Sequence, residues 1–401
     1  MTVPATSPAT SVRRLVAFVF YNIAAVLVLL LLVEGIASIA YTVRDAFAAK
    51  PLARAFHTEY DRDLGWVNRP SVYLSNMYGP GKYLRTNSQR FRNNTDFTKS
   101  VPPGKTRIIC SGDSFTLGYG VDNDHTWPQL LASRAADIET VNMGQGGYGA
   151  DQAYLWYKRD GVKLDHDIQI FAFIADDLRR MQSPTSFGYG KPMLVVENGQ
   201  LVTKNVPVPL LVQVWSPNLA RAQAALLNLS TMRLLRSVFR LDPSAAATQT
   251  RKESNQETSL VLSHMLDDLV ATNRAKNSFL VLAYLPTRDE GESGAYWRKF
   301  LAEYAHQHGL LYLDLTDDFR RLPPQQLDQF FIASGALDFT GAAGHYTEAG
   351  NAFSADLIYR GLLANPEIAA KLRSRSASDA ATFRPAMPVR ANSPEAGKPV
   401  D

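Results

Sequence analysis

The sequence TRIICSGDSFTLGY, residues 106–119, joins an apolar run to a polar turn and then to the start of a helix. Ile108 and Ile109 are β-branched, and glycine turns bound the run on either side, which predicts a short buried strand. Ser114 follows the end of that strand. In parallel α/β sheets the carboxyl ends of the strands open onto the ligand crevice, and the amides of the next helix point at it. The stretch therefore predicts a nucleophile at Ser114, although Gly-Asp-Ser is also typical of a plain helix N-cap.

The rest of the chain alternates strands and helices around this stretch. Apolar runs of strand length occur at 138–143, 168–174, 279–285 and 310–315, and helical segments are predicted at 126–136, 151–159, 259–276, 295–308 and 352–363. The run IQIFAFI at 168–174 is nearly all apolar, as expected of a central parallel strand covered on both faces. Five strands with intervening helices predict an α/β fold, a three-layer α/β/α sandwich with a five-stranded parallel sheet.

Three further segments carry polar or glycine-rich sequence after strands or before helices. Residues 144–149 hold four glycines in six positions, which indicates unusual backbone angles or the close approach of another group. A phosphate cradle is the weaker interpretation, because the spacing differs from the dinucleotide fingerprint and no P-loop lysine follows. Residues 175–180 read ADDLRR after the central strand, and residues 338–351 place His345 just before a predicted helix.

The run at 108–121 resembles the first signature block of the SGNH (GDSL) hydrolase family, and the later segments resemble further blocks of that family in the same order. The resemblance covers roughly residues 60–363 and implies the flavodoxin-like SGNH hydrolase fold. It implies that Ser114 is the nucleophile and His345 the general base. It also implies an oxyanion hole made by the backbone N–H groups of Ser114 and Gly147.

Three positions depart from the family pattern. Asp176 stands where the family has an asparagine that donates a hydrogen bond to the oxyanion. Three alternatives follow: Asp176 is neutral and donates, the amides of Ser114 and Gly147 act alone, or catalysis is lost. Removal of one such donor typically costs about 100- to 1,000-fold in rate. Ala342 stands where the family has the acid that orients the histidine. Asp338 is the nearest substitute, and a backbone carbonyl is the alternative. Arg90 replaces a glycine in the segment before the first block.

The candidate catalytic residues are Ser114 and His345, implied by the resemblance, and Asp338 as the substitute acid; Ser114, Gly147 and Asp176 are the positions of the oxyanion hole. They imply a serine esterase or deacylase that forms an acyl-serine intermediate and needs no metal or organic cofactor. An O-acyltransferase would use the same serine and histidine. A non-catalytic polysaccharide-binding or assembly protein on the same fold is the third interpretation. Family and location together suggest ester-linked acyl groups of exported or surface polysaccharide in bacteria as the substrate.

Composition limits the other classes of function. The formal charge of +4 over 401 residues is mild, and no dense Lys/Arg block with interleaved aromatics occurs, so nucleic acid is not expected as a partner. The single cysteine, Cys110, excludes an internal disulfide and a Cys-rich zinc site. We interpret Cys110 as a small buried strand residue rather than a reactive thiol.

An uncharged run at 15–33 continues, after one glutamate, as apolar sequence to Tyr41. Its length suits a transmembrane helix. Arg13 and Arg14 precede it, which predicts a single-pass protein of the inner membrane with residues 15–41 in the bilayer and the rest on the periplasmic side. A signal peptide cleaved after Ala40 and a buried core helix are the alternatives.

The sequence divides into four regions. Residues 1–50 are predicted as a tail and membrane anchor, 51–105 as a segment packing on the domain, 106–372 as the SGNH hydrolase-like domain and 373–401 as a disordered tail. Within the domain, 181–257 is predicted as an insertion or lid. It comprises a hairpin at 191–206 with Asn198-Gly199 as a type I′ turn, a helical stretch at 207–241 and a polar linker at 242–257. Arg179 and Arg180 are interpreted as a solvated helix face, or as groups that favour an anionic sugar.

Overall fold

The computed structural model of the chain describes residues 8–48, 57–187, 189–209, 244–288 and 292–372. Its strands are β1 (Thr58–Asp61), β2 (Gly65–Asn68), β3 (Tyr73–Leu74), β4 (Leu84–Arg85), β5 (Thr106–Gly112), β6 (Ile138–Gly144), β7 (Ile168–Phe173), β8 (Thr185–Ser186), β9 (Tyr189–Gly190), β10 (Met193–Glu197), β11 (Gln200–Lys204), β12 (Phe279–Tyr284) and β13 (Leu311–Asp314). Its helices are α1 (Pro8–Ala48), α2 (Ser114–Leu117), α3 (Trp127–Ala132), α4 (Ala150–Arg159), α5 (Ala175–Arg180), α6 (Ser244–Ala275), α7 (Glu292–His308), α8 (Thr316–Arg320), α9 (Pro324–Gln329) and α10 (Glu348–Ala364).

Five strands form one central sheet in the order β13-β12-β7-β5-β6, and every neighbouring pair is parallel. Counted along the chain, this is the order 5-4-3-1-2, the flavodoxin-like arrangement. The direction of strand addition reverses between β5 and β7. A crevice outside the carboxyl ends of the strands is expected at such a reversal. The predicted five-stranded parallel sheet is confirmed.

Both faces of the sheet are covered by helices. Successive residues of a strand point to opposite faces, and β5 shows this directly. Ile109 belongs to a buried core that includes residues of α4, α6 and α7, whereas Ile108 and Cys110 belong to a second core with residues of α3 and α10. The predicted three-layer sandwich and the buried position of Cys110 are therefore confirmed.

Most predicted elements are found close to their expected positions, with one clear exception. The hairpin β10–β11 turns at Asn198 and Gly199, whose φ angles of 52° and 74° are those of the predicted type I′ turn. The polar linker predicted at 242–257 is wrong, because α6 begins at Ser244. Residues 244–257 are rich in Ala, Gln, Glu, Lys and Arg, which favour helix, and they lack Gly and Pro. The predictions for 210–243 and for the tail at 373–401 lie outside the described residues.

Residues 57–105 include two short antiparallel hairpins, β1–β2 and β3–β4. Arg90 has a φ angle of 74°, in the left-handed region that glycine adopts most readily. Its guanidinium forms an ion pair with Glu59 and donates a hydrogen bond of 2.9 Å to the carbonyl of Asn68. Arg90 thus ties its own turn to the β1–β2 hairpin, a connection that glycine could not make.

The N-terminal helix α1 contains an apolar stretch at Arg14–Leu32 with a mean hydropathy of 2.8. Its length and composition suit a helix that crosses a membrane. A signal sequence near an N-terminus has the same two properties. The third alternative, a buried core helix, does not fit, because the apolar stretch is not buried against the rest of the described chain.

Candidate active site

Ser114 lies two residues after the end of β5, at the carboxyl edge of the sheet and beside the reversal in strand order. Asp113 caps the short helix α2, because one of its carboxylate oxygens accepts the Phe115 N–H at 2.8 Å. The other carboxylate oxygen accepts a hydrogen bond from Ser114 Oγ at 3.2 Å. Asp113 therefore both caps the helix and accepts a hydrogen bond from the hydroxyl of Ser114.

His345 lies against this serine, with 2.7 Å between His345 Nε2 and Ser114 Oγ. The histidine follows the 3₁₀ turn Thr340–Ala342 and precedes α10. Its carbonyl accepts the Ile332 N–H at 2.8 Å, which fixes the loop, and its ring packs on the ring of Phe115 with centroids 4.6 Å apart. Two segments separated by 231 positions in the sequence therefore meet at a serine–histidine contact.

Burial lowers the pKa of His345 from 6.5 to about 4. The charge of Asp113 and the backbone groups of Ala342 and Ala343 oppose this shift without reversing it. The imidazole is therefore neutral at neutral pH and can accept a proton from Ser114. In the described part of the chain, His345 Nδ1 is buried and has no hydrogen-bond partner.

Asp338 does not reach His345 in the structure. Asp338 is exposed, and no hydrogen bond or ion pair between Asp338 and His345 is found in the described chain. Phe339 and the 3₁₀ turn Thr340–Ala342 separate them along the chain, and the ring of Phe339 packs on Tyr119 at 5.1 Å. Within the described residues, Ser114 is the side chain that hydrogen-bonds to the His345 ring, and no carboxylate or backbone carbonyl bonds to its Nδ1.

The backbone N–H groups of Ser114 and Gly147 donate to no acceptor within the described residues. The second of these amides belongs to the glycine turn at residues 144–149. Gly144 has no room for a side chain, because a Cβ there would lie 2.0 Å from the Leu117 nitrogen, and Gly147 has a φ angle of 76°. The unusual backbone predicted for residues 144–149 is confirmed.

Asp176, predicted at the oxyanion hole, faces a different partner. Its side chain is half exposed, and its carboxylate accepts a hydrogen bond from Arg179 Nε at 3.1 Å. No hydrogen bond links Asp176 to Ser114 or His345 in the described chain. An ionised carboxylate has no proton to donate to an oxyanion.

Sequence reasoning missed a buried charged cluster beneath the serine. Arg180 Nη1 donates to Asp177 at 2.7 Å, to the carbonyl of Tyr148 at 2.9 Å and to Asp113 at 3.3 Å. Burial, and then the charge of Asp113, raise the pKa of Asp177 well above its usual value. The interpretation of Arg180 as solvated is wrong, because its side chain is only 11% exposed. Arg179, at 69%, is solvated as expected. No pattern distinguishes the two adjacent arginines in sequence.

A separate group of possible metal ligands lies near the start of α10. Oxygen or nitrogen atoms of Asp122, His125 and Glu348 lie within 4.8 Å of one another. Two of these side chains are already committed: Asp122 accepts from the Asp124 and His125 amides, and Glu348 pairs with Lys82 at 2.9 Å. This group is apart from the serine and histidine.

No protein-family model matches the chain, and no curated protein matches it. Solved structures do match. They include a lipase/acylhydrolase from Enterococcus faecalis (12% identity, 64% of this chain and 95% of that chain, TM-score 0.36) and a member of the lipolytic protein G-D-S-L family from Veillonella parvula (15%, 64% and 97%, 0.35). A mutant of an acetyl-xylooligosaccharide esterase from Geobacillus stearmophilus also matches (11%, 66% and 95%, 0.35). The chain is thus similar to GDSL lipolytic proteins, as the sequence resemblance implied.

Proposed function

We propose that this chain is a serine esterase that removes ester-linked acyl groups through an acyl-serine intermediate. The observation that carries the proposal is the 2.7 Å contact between His345 Nε2 and Ser114 Oγ at the carboxyl edge of a parallel sheet. A serine hydroxyl is a weak nucleophile until an adjacent base takes its proton. The lowered pKa of His345 keeps that base neutral.

The reaction then proceeds in two steps. Ser114 Oγ attacks the ester carbonyl carbon while His345 takes the hydroxyl proton, and the C–O bond to the alcohol breaks as His345 returns the proton to the leaving oxygen. A water molecule next attacks the acyl-serine, again losing a proton to His345. The carboxylic acid leaves, and Ser114 regains its hydrogen. These steps need no cofactor.

Negative charge on the substrate oxygen is stabilised by the amides of Ser114 and Gly147. Both N–H groups are unoccupied within the described chain. Asp176 takes no part, since its carboxylate accepts from Arg179. This site has two oxyanion donors, so we expect its reaction to be slower by about 100-fold or more than that of a site with three donors.

The physiological substrate proposed is an acyl ester on exported or surface polysaccharide, which fits a catalytic domain joined to an apolar N-terminal helix. Transfer of the acyl group to a sugar hydroxyl instead of water is the second candidate function. The same Ser114–His345 pair serves both, because only the second acceptor differs.

The test is hydrolysis of p-nitrophenyl acetate and butyrate by the purified full-length chain, with and without an oligosaccharide acceptor. We expect turnover that falls about 1,000-fold or more in Ser114→Ala and in His345→Gln. Acyl-oligosaccharide formed in place of free acid identifies a transferase. A folded wild-type protein that neither turns over these esters nor acylates the sugar contradicts both functions and leaves the binding or assembly role.

A further inference from the structure

We propose that Trp66, on the β1–β2 hairpin outside the sandwich, is a positioning residue of the oxyanion hole. The inference rests on the proposed function. Among the described residues, no hydrogen bond joins Trp66 to Ser114 or His345. The indole Nε1–H of Trp66 instead donates to the carbonyl of Gly146 at 2.9 Å. That carbonyl and the Gly147 N–H belong to the same peptide unit.

The geometry of the peptide bond makes this contact relevant to catalysis. In a trans peptide the C=O and N–H groups point in opposite directions within one plane. Holding the Gly146 carbonyl toward Trp66 therefore directs the Gly147 N–H to the opposite side. That N–H has no acceptor within the described residues, as expected of a donor reserved for substrate.

The turn needs an external hold, because glycine on both sides of the peptide allows the plane to rotate at little steric cost. Gly147 has a φ angle of 76°. Its own carbonyl is fixed by Ser186 Oγ, which donates to it at 3.0 Å. Trp66 therefore fixes the peptide before Gly147 and Ser186 the peptide after it.

Trp66 is itself firmly placed. It is 4% exposed, its carbonyl accepts a hydrogen bond from the Tyr148 hydroxyl, and the two rings pack edge to face with centroids 5.5 Å apart. The hairpin is anchored on α4, where Gln152 Nε2 donates to the carbonyl of Leu64 at 2.8 Å and Arg159 pairs with Asp61 at 2.6 Å.

Loss of the indole donor should release the peptide and weaken one of two oxyanion donors. Complete removal of such a donor costs about 100- to 1,000-fold in rate, so partial release in Trp66→Phe should lower kcat by about 10- to 100-fold. KM should change little, since the donor matters most when charge develops on the substrate oxygen. The ring of phenylalanine keeps part of the packing against Tyr148.

The experiment compares the full-length wild type, Trp66→Phe and Trp156→Phe. Trp156 is a matched control, because it is also buried and its Nε1 donates to Asp160 at 3.1 Å, on α4. Each protein is assayed with an oxoester and with the thionoester in which sulfur replaces the carbonyl oxygen. Sulfur is a weaker hydrogen-bond acceptor, so the wild type should prefer the oxoester.

We expect Trp66→Phe to lose the oxoester preference along with kcat, and Trp156→Phe to keep both. If kcat of Trp66→Phe falls equally on both esters, or equals the wild-type kcat, the inference is overturned, and the proposed esterase activity is unaffected. A wild type that is inactive on the oxoester overturns the proposed function and this inference with it. If Trp66→Phe does not fold, benzothienylalanine at position 66 keeps the bicyclic shape without the N–H, and the same two outcomes apply.

Discussion

His345 contacts Ser114 Oγ through Nε2, while its Nδ1 meets no carboxylate among the described residues. In a Ser-His-Asp triad the acid holds the imidazole tautomer and stabilises the imidazolium that forms. Here burial lowers the pKa of His345, and the charge of Asp113, the carboxylate next to the serine, raises it by less. The histidine is therefore a base with a low pKa, and its protonated form is stabilised only weakly.

This environment predicts an unusually acid-tolerant rate profile. The pKa of His345 is lowered to about 4, so the free enzyme keeps its neutral base well below pH 6.5 and loses it as the pH falls through about 4. The measurement is kcat/KM for a neutral ester between about pH 3.5 and 8, with circular dichroism at each pH to confirm that the protein is folded. An acidic limb centred near 6.5 would contradict the account.

At the scale of single elements, the strands and the sites that directly follow them could be predicted, and loop contacts could not. The apolar runs around Ile109 and Phe171 locate β5 and β7, because a buried parallel strand leaves an unbroken apolar signature. The hydrogen bond between Trp66 and Gly146 could not be predicted in this way, because the two residues lie 80 positions apart and no local pattern links them. Arg180 is buried and Arg179 solvated through the way α5 packs, which one sequence does not reveal.

The β8–β9 hairpin supplies the part of the predicted insertion that adjoins the site. Phe187, at its turn, has a φ angle of 50° and is 58% exposed. A Cβ on Gly147 would lie 3.1 Å from its ring, and the guanidinium carbon of Arg180 lies 5.5 Å from the ring centroid. Under the proposed function, this exposed aromatic ring beside Gly147 is the side chain we expect to contact the acyl group or the sugar.

Phe187→Ala should therefore raise KM by about 3- to 10-fold and leave kcat nearly unchanged, because roughly 1 kcal/mol of apolar contact with substrate is removed. Initial rates over a range of butyrate-ester concentrations measure this. Tyr73→Ala is the matched control, since Tyr73 is 62% exposed on β3. The idea fails if the two variants behave alike, or if Phe187→Ala lowers kcat at constant KM.

The whole molecule combines a sandwich of the flavodoxin-like order with an apolar N-terminal helix. The stretch Arg14–Leu32 is uncharged after its first residue and long enough to span about 30 Å of hydrocarbon. Arg13 precedes the stretch and Arg14 begins it, so the positive-inside rule predicts that this end faces the cytoplasm. A membrane span and a signal sequence both fit these features.

We expect the full chain, expressed in a bacterial host, to sediment with the membrane, to be released by detergent but not by alkaline carbonate, and to retain its N-terminal residues by intact mass. A variant lacking residues 1–48 should remain in the soluble fraction. Protease added to spheroplasts should digest the domain of the wild type. A mature protein that begins just after Ala40 would instead establish a cleaved signal peptide.

The central claim, that Ser114 carries the acyl group, is tested most directly by mass spectrometry of the chain quenched in acid during turnover of p-nitrophenyl butyrate. The account predicts one butyryl group on the peptide that contains Ser114, no adduct in Ser114→Ala, and an unchanged adduct in Ser111→Ala, which alters the buried serine of β5. Ester turnover that persists undiminished in Ser114→Ala, or a butyryl adduct on another residue and none on Ser114, would contradict it.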